Sequence, residues 1–258
     1  MSYTIGSLFA GIGGFDLGFE RAGFKTVWQV EIDPYCQKVL AKNFLEAERF
    51  GDIRECGSHN LKPVDVICGG FPCQDISYCG DGAGLAGERS GLWYEMLRII
   101  RELRPKFVLV ENVAALLGRG FGDVIGGLAE SGYDAEWDCF PASTVGAYHE
   151  RDRVFILAHS PERDGKPHDL LEASEEWRSQ IQSRRLHRMA VATRAQRENT
   201  RLEYEPELAR MVFRIPDQVG RLEALGNAVV PQIPEMIARR IKQALDSAAP
   251  EEMFKESR

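Results

Sequence analysis

No C-x-x-C pair occurs among the six cysteines of this 258-residue chain, which stand at positions 36, 56, 68, 73, 79 and 139. Thiols scattered in this way argue against a zinc site and against a disulfide framework, so no metal is expected, and they suit the reducing cytoplasm. No run approaches the roughly 18 apolar residues of a membrane helix, and no signal peptide precedes Thr4, so no membrane association is expected. The glycine turn near the start carries no lysine, which excludes a P-loop, and its spacing is not G-x-G-x-x-G. Surplus positive charge is missing too. A net charge of −7 argues mildly against a nucleic-acid partner, although a local patch can override it. What the chain does have is 44% hydrophobic and 28% charged residues, the balance of a globular protein with a sizeable core.

The regular pattern is that of an α/β protein. Thr4 to Phe9 reads as a strand, Gly11, Gly13 and Gly14 as a turn, and Phe15 to Ala22 as an amphipathic helix. Strand, glycine turn and helix together form a nucleotide-binding pattern. A second strand, Thr26 to Val30, ends at Glu31, placed as an acid that bonds ribose hydroxyls would be. Helix Pro34–Asn43 follows, with proline in its first turn, and Gly51-Asp52-Ile53 sets another carboxylate at a strand end. The apolar run Val64 to Cys68 predicts a buried parallel strand. After it, Gly69-Gly70-Phe71-Pro72-Cys73-Gln74-Asp75-Ile76-Ser77 places one thiol on a stiffened loop, where open α/β sheets build their sites.

Gly80 to Gly91 carries five glycines and reads as a mobile lid. Helix Leu92–Leu103 and strand Phe107–Val110 then bring Glu111-Asn112-Val113 to the edge that holds Cys73. A carboxyl at the end of an apolar strand is expected to have a raised pKa. Helix Phe121–Ser131 and strands Tyr133–Phe140 and Arg153–Ala158 complete the sheet, with Arg151 and Arg153 spaced to project to one face. From Ser160 to about Pro216 the rhythm stops. Seven arginines stand against one glutamate between Trp177 and Leu202, downstream of an acidic run at Glu162–Glu176. This stretch is either a nucleic-acid-binding patch or a solvated face. Apolar sequence returns at Leu225-Gly226-Asn227-Ala228-Val229-Val230-Pro231, and a helix Ile233–Leu245 closes the chain.

Across most of residues 4–159 and 221–245 these segments resemble the C5-cytosine DNA methyltransferases of bacterial or phage type. The segments concerned are Phe9 to Gly14, Pro72-Cys73-Gln74 with Ser77, Glu111-Asn112-Val113, Arg151 with Arg153, and Gly226 to Gln232. The resemblance implies a Rossmann-like S-adenosylmethionine-dependent methyltransferase fold, a mostly parallel sheet with helices on both faces. Its domains would be a catalytic and cofactor-binding part at 1–160, a small target-recognition insertion at 161–216, and a return to the catalytic part at 217–258. Implied cofactor-binding residues are Phe9, Gly11, Gly13, Gly14, Glu31, Ile32, Asp52, Ile53, Pro72, Asn227 and Val229. Implied catalytic residues are Cys73, Glu111, Arg151 and Arg153. Gln74, Ser77 and Arg89, with Arg184, Arg185 and Arg188 of the insertion, would contact double-stranded DNA. A monomer is expected, with a cognate restriction endonuclease as a companion. His149, Tyr148 and Ile76 depart from the residues usual in the family at their positions.

The implied chemistry needs these groups. Cytosine C5 is a poor nucleophile until a thiolate adds to C6. Charge then builds at N3, where a carboxyl of raised pKa can give or share a proton. Cys73 and Glu111 would fill those roles, with Arg153 at O2 of the base, which must be flipped out of the duplex. Three other readings stand beside this one. A tRNA cytosine-5 methyltransferase shares the chemistry, but the Cys-Phe-Thr element of that group is not found here. A non-catalytic DNA-binding relative would have no need of Cys73, Glu111 and Arg153 together. The glycine spacing and the nucleophilic cysteine disfavour a nicotinamide dehydrogenase.

Overall fold

The computed structural model describes residues 2–72, 91–145, 151–160, 171 and 224–247. Within them lie the strands β1 (Thr4–Leu8), β2 (Lys25–Val30), β3 (Glu48–Phe50), β4 (Val66–Gly69), β5 (Phe107–Val113), β6 (Asp134–Pro141) and β7 (Asp152–His159). The helices are α1 (Gly14–Arg21), α2 (Pro34–Asn43), α3 (Leu92–Leu103), α4 (Phe121–Glu130) and α5 (Gln232–Ser247). All seven strands join one sheet in the order β3-β2-β1-β4-β5-β7-β6. Pairing from β3 through β5 is parallel, and β7 runs antiparallel to both of its neighbours. The chain moves outward from β1 to β3, then resumes on the other side of β1 at β4. That reversal of direction leaves a crevice at the carboxyl ends of β1 and β4, where open sheets of this kind bind ligands.

Helices cover both faces, and the apolar spacing decides which. On α3, Trp93, Met96, Leu97 and Ile100 recur at helical spacing and are buried against Leu8, Ile67, Val108 and Ile156. Glu95, Arg98, Arg101 and Glu102 fall on the other side of the helix, outside that core. The opposite face is covered by α1 and α5, whose Phe15, Phe19, Ile233, Ile237 and Ile241 pack on Ile5, Val66, Leu109 and Leu157. Burying each such side chain contributes about 1.5–3 kcal/mol relative to leaving it in water. The C-terminal return is seated on the first helix by close backbone approach. A Cβ at Gly14 would lie 2.4 Å from the Val229 carbonyl oxygen, and one at Gly18 would lie 2.6 Å from that of Pro231.

Helices α2 and α3 span the residues that their periodicity predicts, and the Asp33 side chain caps α2 by accepting from the Cys36 N–H (2.7 Å). Two strands differ from expectation by more than one residue at an end. β4 begins at Val66 rather than Val64 and runs on through Gly69, which pairs with both Leu8 and Val110. β5 does not stop at Val110 but continues through Glu111-Asn112-Val113, because β7 supplies a partner for each of those residues. The insertion expected at 161–216 and the lid expected at Gly80–Gly91 lie outside the described residues, apart from Leu171 and Gly91. Leu171 is buried in the core on the α1 and α5 face and donates its N–H to Glu136 Oε2 on β6 (3.2 Å). Among the described residues no helix is long and apolar enough to cross a membrane.

Candidate active site

The carboxyl ends of β1, β2, β4 and β5 surround a cleft of about 350 Å³. One wall comes from β2 and β3. Glu31 follows β2 directly, and backbone amides hold its carboxylate: Gly11 N–H donates to Oε2 (2.7 Å) and Asp33 N–H to Oε1 (2.8 Å). Gln37 on α2 donates to the Glu31 carbonyl at 2.6 Å. Each carboxylate oxygen can accept a further bond, so an oriented acceptor pair faces the cleft. Asp52 follows β3 and caps the short 3-10 turn Ile53–Glu55 by accepting from the Arg54 N–H (3.0 Å). The Arg54 guanidinium also grips both Asp52 oxygens and holds that carboxyl below its ordinary value.

Apolar surface completes this wall. Ile32 lines the cleft yet is 65% exposed, a large side chain left open beside Ile53, which is buried. Phe9, at the end of β1, also lines the cleft and has φ 52. A bulky residue in the left-handed region costs about 1–3 kcal/mol, and such strain gathers at ligand sites. At Gly11 the backbone is left-handed as well, and a Cβ built there would meet nothing within 4 Å, so the turn opens onto free space. An acceptor pair, apolar side chains and an open glycine turn are the groups that could hold a nucleoside.

The opposite wall carries the titratable centre. Glu111 lies within β5, facing Phe155 of β7 across the ladder, and Arg153 projects from the same face two residues earlier on β7. Arg153 Nε stands 2.8 Å from Glu111 Oε1. The contact is a close ion pair made by a carboxyl that is itself buried. Burial pushes the Glu111 carboxyl up, and the guanidinium groups of Arg153 and Arg151 pull it down by less. Arg151 Nη1 donates to the Gly226 carbonyl, which ties the C-terminal return to this wall.

Glycine at position 70 leaves the Glu111 carboxyl its present place, since a Cβ there would lie 2.8 Å from Glu111 Oε2 and push that group aside. β4 ends at Gly69 while β5 runs on beside β7, so Gly70-Phe71-Pro72 leaves the sheet just where Glu111 sits. The departing segment is anchored. Asn112 Nδ2 donates to the Phe71 carbonyl (3.1 Å), and the Phe71 ring packs on Trp93 with centroids 5.5 Å apart.

The cleft therefore brings together Phe9, Gly11, Glu31, Ile32, Asp52 and Ile53 on one side with Pro72, Glu111, Arg151, Arg153 and Asn227 on the other. Gly13, Gly14 and Val229 do not line it. A Cβ at Gly13 would meet the Phe44 ring, and Gly14 packs on Val229. Cys73, Gln74, Ser77 and Arg89, together with Arg184, Arg185 and Arg188, lie outside the described residues, as do Ile76, Tyr148 and His149. Burial pushes the Cys68 thiol well up and also raises Cys56 and Cys139, which places those three poorly for nucleophilic work. Sequence reasoning missed Asp33, Gln37 and Arg54, which hold Glu31 and Asp52. Asp33 ahead of Pro34 carried a readable capping signal, whereas nothing in sequence marked Arg54.

The C-5 cytosine-specific DNA methylase family matches residues 3–205 of the chain. This protein belongs to that family. Among its relatives, the type II methyltransferase M.FnuDI of Fusobacterium nucleatum is 39% identical over 155 residues, 58% of this chain and 45% of the relative. A prophage-encoded E. coli protein assigned as a DNA modification methyltransferase has a crystal structure similar to this one. Its TM-score is 0.56 at 28% identity, covering 65% of this chain and 49% of that one. The S. pombe Dnmt2 methyltransferase, at 19% identity and a TM-score of 0.55, shares the fold over 67% of this chain and 56% of its own. The chain spans about half the length of the curated relatives it matches. Family membership accounts for the Rossmann-like methyltransferase fold.

Proposed function

We propose that the protein is a DNA (cytosine-5-)-methyltransferase that moves a methyl group from S-adenosylmethionine to C5 of a flipped-out cytosine. The observation that carries the reading is the buried Glu111–Arg153 pair, at 2.8 Å, on the wall facing the oriented Glu31 carboxylate of the same cleft. The cleft residues fit the cofactor. Glu31 would hold the ribose hydroxyls, Asp52 the adenine edge, and Phe9, Ile32 and Ile53 the faces of the ring. The cofactor would supply an electrophilic methyl on a sulfonium.

The chain's own residues do the rest. Cys73 forms a bond from its sulfur to cytosine C6, and the electron pair displaced toward N3 is met by a proton from Glu111. C5 thereby becomes nucleophilic and accepts the methyl group. The N3 proton returns to Glu111 as C5 takes the methyl group, and loss of the C5 proton to a base, water or a loop group then expels the Cys73 thiolate and restores the aromatic ring. Arg153 would hold O2 of the base and keep Glu111 turned toward N3, while Arg151, bonded to Gly226, would orient the last segment over the cleft. In this reading residues 1–160 and 217–258 form the catalytic part and 161–216 meet the DNA. The protein would act in the cytoplasm as a monomer, with a cognate endonuclease as its companion.

The primary test is sequencing of methylated cytosines in DNA from cells that express the chain. Methylation at C5 in a fixed sequence context is expected, and unmodified DNA would overturn the reading. Cofactor placement is tested separately by calorimetry. Glu31→Ala is expected to weaken S-adenosylmethionine binding by on the order of 1 kcal/mol per lost neutral hydrogen bond. Unchanged affinity would move the nucleoside site elsewhere.

The insertion is tested by salt. Replacing Arg184, Arg185 and Arg188 with Ala is expected to weaken binding to any duplex and to reduce the slope of log affinity against log salt, because fewer counterions are released. A triple variant that matches wild type at every salt concentration would leave this run as a solvated face.

A further inference from the structure

Arg98 lies on the outer side of α3, does not line the cleft, and has no part in the chemistry above. Its guanidinium nevertheless reaches the segment that forms the nucleoside wall. Nη2 donates to the carbonyls of Cys56 (2.8 Å) and Ile53 (3.3 Å), at the far end and the start of the 3-10 turn that Asp52 caps. Nε donates to Glu95 (3.0 Å) and Nη1 to Glu102 (2.7 Å), so two carboxylates on the same helix fix the plane of the fork. The second oxygen of Glu102 accepts the Ser58 N–H at 2.8 Å. One guanidinium and one carboxylate therefore fasten residues 53–58 to α3. The fit is close: a Cβ at Gly57 would lie 2.6 Å from Glu102 Oε2.

The arrangement has more geometry in it than stability. The Arg98 side chain is 34% exposed, with Glu95 and Glu102 at 32% and 31%, so solvent screens the pairs and they add little to folding. What the fork does is set the position of a turn. Ile53 opens that turn and Asp52 precedes it, and both line the cleft, as does Leu92 at the first residue of α3. A planar fork can reach two carbonyls and two carboxylates at once, whereas an ammonium group is a single point of charge.

We propose that Arg98 is a positioning residue for the cofactor, acting through the Ile53 and Cys56 carbonyls to hold Asp52 and Ile53 at the spacing the nucleoside requires. The proposal rests on the reading of the cleft as the S-adenosylmethionine site.

The test uses the full chain with Arg98→Lys, which keeps the charge and loses the fork. A second variant, Glu102→Gln, keeps the fork and weakens its orientation. S-adenosylhomocysteine binding is measured by calorimetry, duplex binding by titration, and KM for S-adenosylmethionine separately from kcat. Arg98→Lys is expected to raise the Kd for S-adenosylhomocysteine and the KM by about tenfold, the scale of one lost charge-assisted bond. Under the same proposal kcat and duplex affinity stay within about twofold of wild type, and Glu102→Gln shows a smaller rise of about threefold. If Arg98→Lys does not fold, the Glu102→Gln result decides.

Unaltered nucleoside affinity in the folded variants would overturn the proposal. So would an equal loss of nucleoside and duplex binding accompanied by a lower melting temperature, because that pattern describes a structural brace. Wild-type protein that fails to bind S-adenosylhomocysteine would remove the cofactor reading and this proposal with it. Wild-type binding with indifferent variants would remove the proposal alone.

Discussion

Cys73→Ser is expected to reduce methyl transfer to background while leaving S-adenosylmethionine affinity near wild type. A free thiol ionises near pH ~8.5 and can be lowered further by positive charge, whereas a serine hydroxyl stays protonated and is a far weaker nucleophile toward C6. Pro72, one residue earlier, lines the cleft, and Phe71 is held by Asn112 and Trp93, so the segment leading to Cys73 leaves the sheet from an anchored start. Single-turnover transfer of labelled methyl to a duplex is the measurement, with calorimetry of the cofactor as the control. A serine variant that keeps wild-type turnover would remove the covalent route. Cys68→Ser and Cys139→Ser should remain active wherever the protein folds, since burial raises both thiols away from the reactive range.

For Glu111→Gln the expected loss in kcat is about 10²–10⁴-fold, the usual contribution of a positioned proton donor. The amide can still offer a hydrogen bond to N3 but cannot give up a proton. The pH profile separates the two contributions. Burial raises the folded carboxyl above its ordinary 4.5, so the neutral donor form persists to higher pH than in water and is lost as pH climbs through the folded value. Wild-type activity should therefore fall along an alkaline limb that Glu111→Gln lacks.

Stability follows the same sign. A raised folded pKa contributes stability that is fully present below the unfolded value and disappears as pH rises through the folded one. Above that window the buried carboxylate is a cost, so the Gln variant should melt no lower than wild type at pH ~8. A variant that unfolds there would mean that the Arg153 ion pair outweighs the desolvation of Glu111. A variant that keeps the alkaline limb would assign that limb to another group.

Much of the frame was readable from residue order because local rules govern it. The helical apolar spacing of α3, the Pro34 start of α2 and the buried run before Gly69 are each set by nearby residues, and their elements formed close to where periodicity placed them. The carboxyl-end location of Glu31 and Glu111 follows from the same rhythm, since each comes at or near the end of an apolar strand. What periodicity did not reveal was that β5 carries Glu111 inside the sheet. Its pairing there depends on β7, some forty residues later in the chain.

Sequence by itself determined the class of sheet, the helices that cover it, and the short list of groups able to do chemistry, because those depend on side-chain type and spacing. Tertiary structure alone decided which of those groups meet. It set Arg153 against Glu111 across an antiparallel ladder, brought Gly70 against that carboxyl, and turned Gly14 away from the cleft onto Val229. It also recruited Arg54 and Arg98, which no motif announces, to hold Asp52 and its turn. The physical reason is reach. Hydrophobic periodicity acts over a few residues, whereas a buried carboxyl must find its compensating charge wherever the fold brings one near, and only the folded chain defines that distance.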